Sequence, residues 1–85
     1  IPLNFLRLVF GREFKAREVK FLDVKPSKLF EREADLVFEY RGEIYHLEIQ
    51  STDDPKMALR MLHYYGLIVE NYQKAPIQAV VDRKS

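Results

Sequence analysis

The chain has 85 residues, of which 47% are hydrophobic and 32% charged, and a formal net charge of +1. That describes one small globular domain, near the lower size at which a chain can bury a self-sufficient core. The absence of cysteine excludes disulfides and thiolate metal sites, and the near-zero charge means that any attraction to nucleic acid must come from local patches.

No apolar run approaches the ~18 residues of a membrane span, and no secretory leader pattern is visible. Together with the lack of cysteine, this leads us to expect a protein of the reducing cytoplasm. The sequence starts at Ile1 rather than Met, so residues 1–85 are expected to be a single domain from a longer chain.

In chain order, residues 3–10 (LNFLRLVF) suit a short buried helix stopped by Gly11. A strand is the competing reading, because the run is short and apolar nearly throughout. Arg12, Lys15, Arg17 and Lys20 then form a basic stretch, either a solvated loop or an edge that contacts phosphate. From Val19 to Val24 the alternation predicts a first strand, interrupted at Pro26-Ser27 and continued at Leu29 and Phe30.

The next stretch, EADLVFEY-RG-EIYHLEIQ over residues 33–50, predicts an antiparallel hairpin turning at Arg41-Gly42. Leu36, Phe38 and Tyr40 fall on one face, and Asp35, Val37 and Glu39 on the other. Because the strands return their ends to each other, Asp35 meets Glu48 and Gln50, which share a face with His46. Glu48 lies between Leu47 and Ile49, where a carboxylate is costly unless it is paired or coordinates a metal. Two carboxylates and an amide in one volume form a candidate site for a hard divalent cation. His46 is read as a structural histidine, with a proton acceptor as the competing role.

Asp54-Pro55 signals a helix start, with Asp54 as N-cap and Pro55 at the first helical position. Asp53 and Asp54 are thus explained by the helix dipole rather than by metal ligation. Residues 55–73 predict the longest helix, with a core stripe of Met57, Ala58, Met61, Leu62, Tyr65, Ile68, Val69 and Tyr72. Arg60, Tyr64 and Leu67 fall on an adjacent face. There Arg60 either joins the site, pairing with a carboxylate or a phosphate, or makes a surface contact with Tyr64. Ala75-Pro76 ends the helix, Ile77–Val81 reads as a short buried strand, and Lys84-Ser85 as a tail. A helix crossing between strands implies a mixed α/β sheet flanked by helices, with the last strand parallel to its partner.

The runs Ala34–Phe38 (ADLVF), Leu47–Thr52 (LEIQST), Asp54-Pro55 and Met57–Tyr64 (MALRMLHY) resemble the Rpn family. These are recombination-promoting, transposase-related nucleases of the restriction-endonuclease-like PD-(D/E)xK superfamily. The resemblance is specific over roughly residues 30–70 and weak before them, where only the helix–strand order agrees. It implies a minimal αβββαβ core, which favours a helix over residues 3–10. It further implies a Mg²⁺- or Mn²⁺-dependent endonuclease acting on DNA, with Asp35, Glu48 and the Ile49 carbonyl as metal ligands. Gln50 stands where the superfamily carries lysine. Glutamine does not titrate, so it can orient an attacking water but cannot act as a base.

Arg60, Tyr64, Lys15 and Arg17 are the candidate substrate contacts, and homo-oligomerisation is compatible with so small a core. Two other readings stand beside this one. The first is an inactive nuclease-fold module that binds nucleic acid or oligomerises; the second is a structural domain whose carboxylates pair with Arg60. Two bare carboxylates ~5 Å apart would repel by on the order of 3 kcal/mol at an effective dielectric near 20. Without metal, Glu48→Gln is therefore expected to raise stability.

Overall fold

The computed structural model describes residues 2–30 and 35–83. Glu33 and Ala34, expected to open the hairpin, and the Lys84-Ser85 tail lie outside them. The elements are α1 (Leu3–Phe10), β1 (Lys20–Phe21), β2 (Asp35–Tyr40), β3 (Glu43–Gln50), α2 (Met57–Tyr72) and β4 (Ile77–Asp82). The order is αβββαβ, and the sheet runs β1-β2-β3-β4, antiparallel except for the parallel β3–β4 pair. Among the described residues no helix is long and apolar enough to cross a membrane.

The turn sets the register. Arg41 (φ 50°) and Gly42 (φ 83°) both adopt positive φ, as a two-residue hairpin turn of the tight, right-twisted kind requires. Every β2–β3 pair is equidistant from that turn, so Tyr40 faces Glu43 and, five steps further on, Asp35 faces Glu48. After β3, α2 crosses over the sheet and returns the chain so that β4 runs parallel, with Gln50 opposite Asp82.

Strand alternation divides the core in two. On one face Phe38, Tyr40, Tyr45 and Leu47 pack with Leu6 of α1 and Phe14. The rings interlock: Phe38 stacks on Tyr45 with centroids 5.0 Å apart, and Phe14 meets Phe38, Tyr40 and Tyr45 edge-on. α1 ends at Gly11 (φ 70°), whose N–H donates to the Arg7 carbonyl. On the other face Val37 and Ile44 pack under Tyr64 and Ile68 of α2.

Three expectations are corrected. The first strand is confined to Lys20–Phe21, extended by one Leu22 N–H bond to the Val37 carbonyl. Pro26 has no N–H to give a sheet, and the Ser27 N–H is taken by His63 of α2. Leu29 and Phe30 consequently form a 3₁₀ turn instead of continuing the strand, with the Phe30 ring tilted against that of His63. The second correction is small. Asp54 accepts from the Lys56 and Met57 N–H groups in a turn, and the regular helix begins two residues after Pro55, at Met57.

The third concerns the face of α2. Its buried residues are Met57, Arg60, Tyr64 and Ile68. Of the expected stripe only Met57 and Ile68 are buried; Ala58, Leu62, Tyr65 and Val69 are exposed, Leu62 by 67%. The helix is apolar on two sides, so periodicity alone does not choose between them. The choice is made by Arg60 and Tyr64, which meet partners in the sheet.

Candidate functional site

At the end of the sheet remote from the Arg41-Gly42 turn, the α2-facing side becomes polar. Asp35 lies at the start of β2, and His46, Glu48 and Gln50 alternate along β3. Val37 and Ile44 occupy the same side nearer the turn. Directly opposed positions place the Asp35 and Glu48 β-carbons about 5 Å apart.

Arg60 reaches down from α2 between the two acids. Its Nε donates to Glu48 Oε1 at 2.8 Å and its Nη2 to Asp35 Oδ2 at 3.3 Å. Tyr64, one turn further along α2, donates its hydroxyl to the same Asp35 oxygen. The second Glu48 oxygen lies 2.7 Å from His46 Nε2, and the His46 ring stacks on Tyr64 at 4.1 Å. Gln78 of β4 closes the network, with its amide nitrogen 3.1 Å from His46 Nδ1 and 2.8 Å from the Met61 carbonyl.

Glu48 and His46 are fully buried and Arg60 is 1% exposed, whereas the Asp35 side chain retains 24% exposure. A buried carboxylate and guanidinium are tolerable only as partners, which accounts for Glu48 standing in an apolar strand. Asp35 has its pKa raised, first by desolvation and then by the negative charge of Glu48, with Arg60 opposing both. Beside it a shallow depression, lined by Phe21, Leu22, Asp23, Val24, Leu36, Val37 and Tyr64, opens to solvent. Asp35 is the acid that a solute reaches first.

Two buried polar atoms have no hydrogen-bond partner among the described residues: Gln50 Oε1 and Arg60 Nη1. The first is an acceptor on the same side as the acids, the second a donor in the middle of the network. Asp35, Glu48 and Gln50 thus fit a hard divalent cation in donor type, all three offering oxygen. Among the described residues no three His, Cys, Asp or Glu side chains form a group able to hold a metal. A cation here would need the Gln50 amide and backbone oxygen, such as the Ile49 carbonyl, besides the two acids. Arg60 would also have to release Asp35.

The structure brings together Asp35, Glu48, Arg60 and Tyr64 of the predicted residues, with Gln50 and Ile49 adjoining on β3. It does not bring Lys15 or Arg17 to them. Lys15 lies where its N–H meets the Tyr40 hydroxyl, and Arg17 sits in the 3₁₀ turn that Glu18 ties to Arg41. Both are therefore near the hairpin turn, about 17 Å along β2 from Asp35. Arg12, from the same basic stretch, bonds Glu43 and Tyr45. His46 is wholly buried rather than partly so, and Arg60 and Tyr64 form no surface contact. Gln78 was not singled out by the sequence; the available signal was a lone polar residue at an inward step of the strand Ile77–Val81.

No family model, no curated protein and no solved structure matches this chain.

Proposed function

We propose that this chain is a restriction-endonuclease-like nuclease domain that hydrolyses phosphodiester bonds in DNA with Mg²⁺ or Mn²⁺, as its resemblance to the Rpn family implies. One observation carries the reading: Asp35 and Glu48 oppose each other at one sheet end, followed on the same side by Gln50, whose buried carbonyl oxygen has no partner among the described residues. A bound divalent cation would polarise a phosphoryl oxygen and lower the pKa of a water.

The protein's own groups do the rest. Asp35 and Glu48 hold the charge that fixes the cation, and Gln50 orients water through its amide. Arg60 offers Nη1 to a phosphate oxygen, and its bond to Glu48 can persist while Nη2 leaves Asp35. Tyr64 positions Asp35. Such a domain would work in the cytoplasm on recombination or transposition substrates, alone or as a homo-oligomer.

A second reading is favoured by Arg60, which links both acids and neutralises one of their charges internally. In this reading the same fold binds nucleic acid or oligomerises without cleavage. Incubation with supercoiled plasmid separates the two. The nuclease reading expects Mg²⁺- or Mn²⁺-dependent nicking that Asp35→Asn abolishes. Salt-sensitive retention of DNA without nicking would support the binding module instead.

A further inference from the structure

We infer that Gln78 is a positioning residue for Glu48, acting by a hydrogen bond that holds the bare Nδ1 of His46 and turns its Nε2–H to the carboxylate. The assignment follows from donors and acceptors. The Met61 carbonyl can only accept, and Gln78 Nε2 lies 2.8 Å from it. The amide nitrogen is therefore held on that side, because a reversed amide would place two oxygens against each other. The same nitrogen is 3.1 Å from His46 Nδ1. An amide nitrogen has two hydrogens and no acceptor site, so both contacts are donated and Nδ1 must be bare.

A neutral imidazole with a bare Nδ1 carries its hydrogen on Nε2. That nitrogen lies 2.7 Å from Glu48 Oε2, an acceptor, so the chain of donors runs from Gln78 through His46 to Glu48. Arg60 Nε holds the other oxygen at 2.8 Å, and Tyr64 fixes the plane of the ring by stacking at 4.1 Å. Glu48 is thereby gripped at both oxygens by donors from different elements, with its orientation set by a residue on β4. Outer groups of this kind govern the geometry and affinity of a carboxylate that binds metal.

The importance of Gln78 for metal rests on the proposed cation site; its control of His46 does not. The protein has two histidines, and the second is an internal contrast. His63 Nε2 accepts from the Ser27 N–H at 3.0 Å, so its hydrogen belongs on Nδ1. Long-range proton–nitrogen correlation on ¹⁵N-labelled protein should show opposite tautomers. His46 is expected to carry Nε2–H and His63 Nδ1–H. Gln78→Met removes the hydrogen bond donated to Nδ1, so the His46 Nδ1 resonance should move downfield while Glu48 keeps the hydrogen on Nε2, and Mn²⁺ affinity should fall roughly tenfold.

An Nδ1–H tautomer of His46 in the parent would overturn the inference. So would an unmoved Nδ1 resonance in folded Gln78→Met, or unchanged Mn²⁺ affinity once that resonance has moved. If Gln78→Met does not fold, Gln78→Ala takes its place. A shifted Nδ1 resonance in a protein that binds no Mn²⁺ would uphold the hold on His46 and refute the cation site alone.

Discussion

Arg60 joins Asp35 to Glu48: one guanidinium on α2 bonds two acids that face each other across β2 and β3. This relationship reverses the stability expected of a bare acidic pair. Repulsion between the acids is offset by a buried cation, so removing the Glu48 charge leaves Arg60 under-compensated instead of relieving strain. Glu48→Gln should destabilise the metal-free protein by about 3 kcal/mol. Asp35→Asn should destabilise it much less, because Asp35 is partly exposed, its bond to Arg60 is longer, and its charge is already disfavoured by burial. Urea denaturation of the two variants beside the parent checks the order; equal losses would show that Arg60 does not depend mainly on Glu48.

Gln50 should behave in the opposite way. Its Oε1 is buried without a partner among the described residues, and such an acceptor carries a desolvation penalty. Gln50→Leu is expected to raise stability by about 1 kcal/mol while weakening Mn²⁺ binding. A rise in melting temperature with a loss of metal affinity, read by calorimetry on the same sample, would mark Gln50 as a residue kept for a ligand.

The aromatic face supplies the main apolar core. Phe14 meets four rings edge-on, those of Phe10, Phe38, Tyr40 and Tyr45, and is 6% exposed, so Phe14→Ala should cost about 3–5 kcal/mol. Leu62→Ala on the outward side of α2 should cost well under 1 kcal/mol. Similar losses at both positions would mean that the outward side is covered in solution.

Glu18 and Arg41 give a pH signature away from the site. The Glu18 carboxyl is held below its ordinary 4.5 by the Arg41 hydrogen bonds, with that cation's charge adding to them. A folded-state pKa below the unfolded one favours the charged form. The contribution is therefore present above about pH 4.5 and is lost as pH falls through the lower folded value. Melting curves of the parent and Glu18→Gln should thus differ at pH 6 and converge in acid. A difference that persists in acid strong enough to protonate the folded carboxyl would assign the effect to packing.

The hairpin and its acids were legible because Arg41-Gly42 dictates the register, and register alone brings Asp35 to Glu48. The parallel return of β4 followed from the helix between two strands. The buried side of α2 was not legible. Leu59, Leu62, Tyr65 and Val69 make an apolar stripe as good as the buried one, and hydrophobic periodicity is blind to an arginine that enters the core to meet acids. The short first strand was hidden for a similar reason: Ser27 bonds His63, a contact distant in sequence that no local pattern contains. Gln78 escaped notice because its role exists only once β4 lies beside His46.

In the proposed cation site of Asp35, Glu48 and Gln50, Arg60 has to withdraw from Asp35 when the cation binds. A crystal soaked in Mn²⁺ and measured at the manganese absorption edge tests this most directly. The expected result is one anomalous peak between the Asp35 and Glu48 carboxylates, at roughly 2.0–2.3 Å from their oxygens, with Arg60 Nη2 moved off Asp35. No peak, with Arg60 still bonded to both acids, would contradict it.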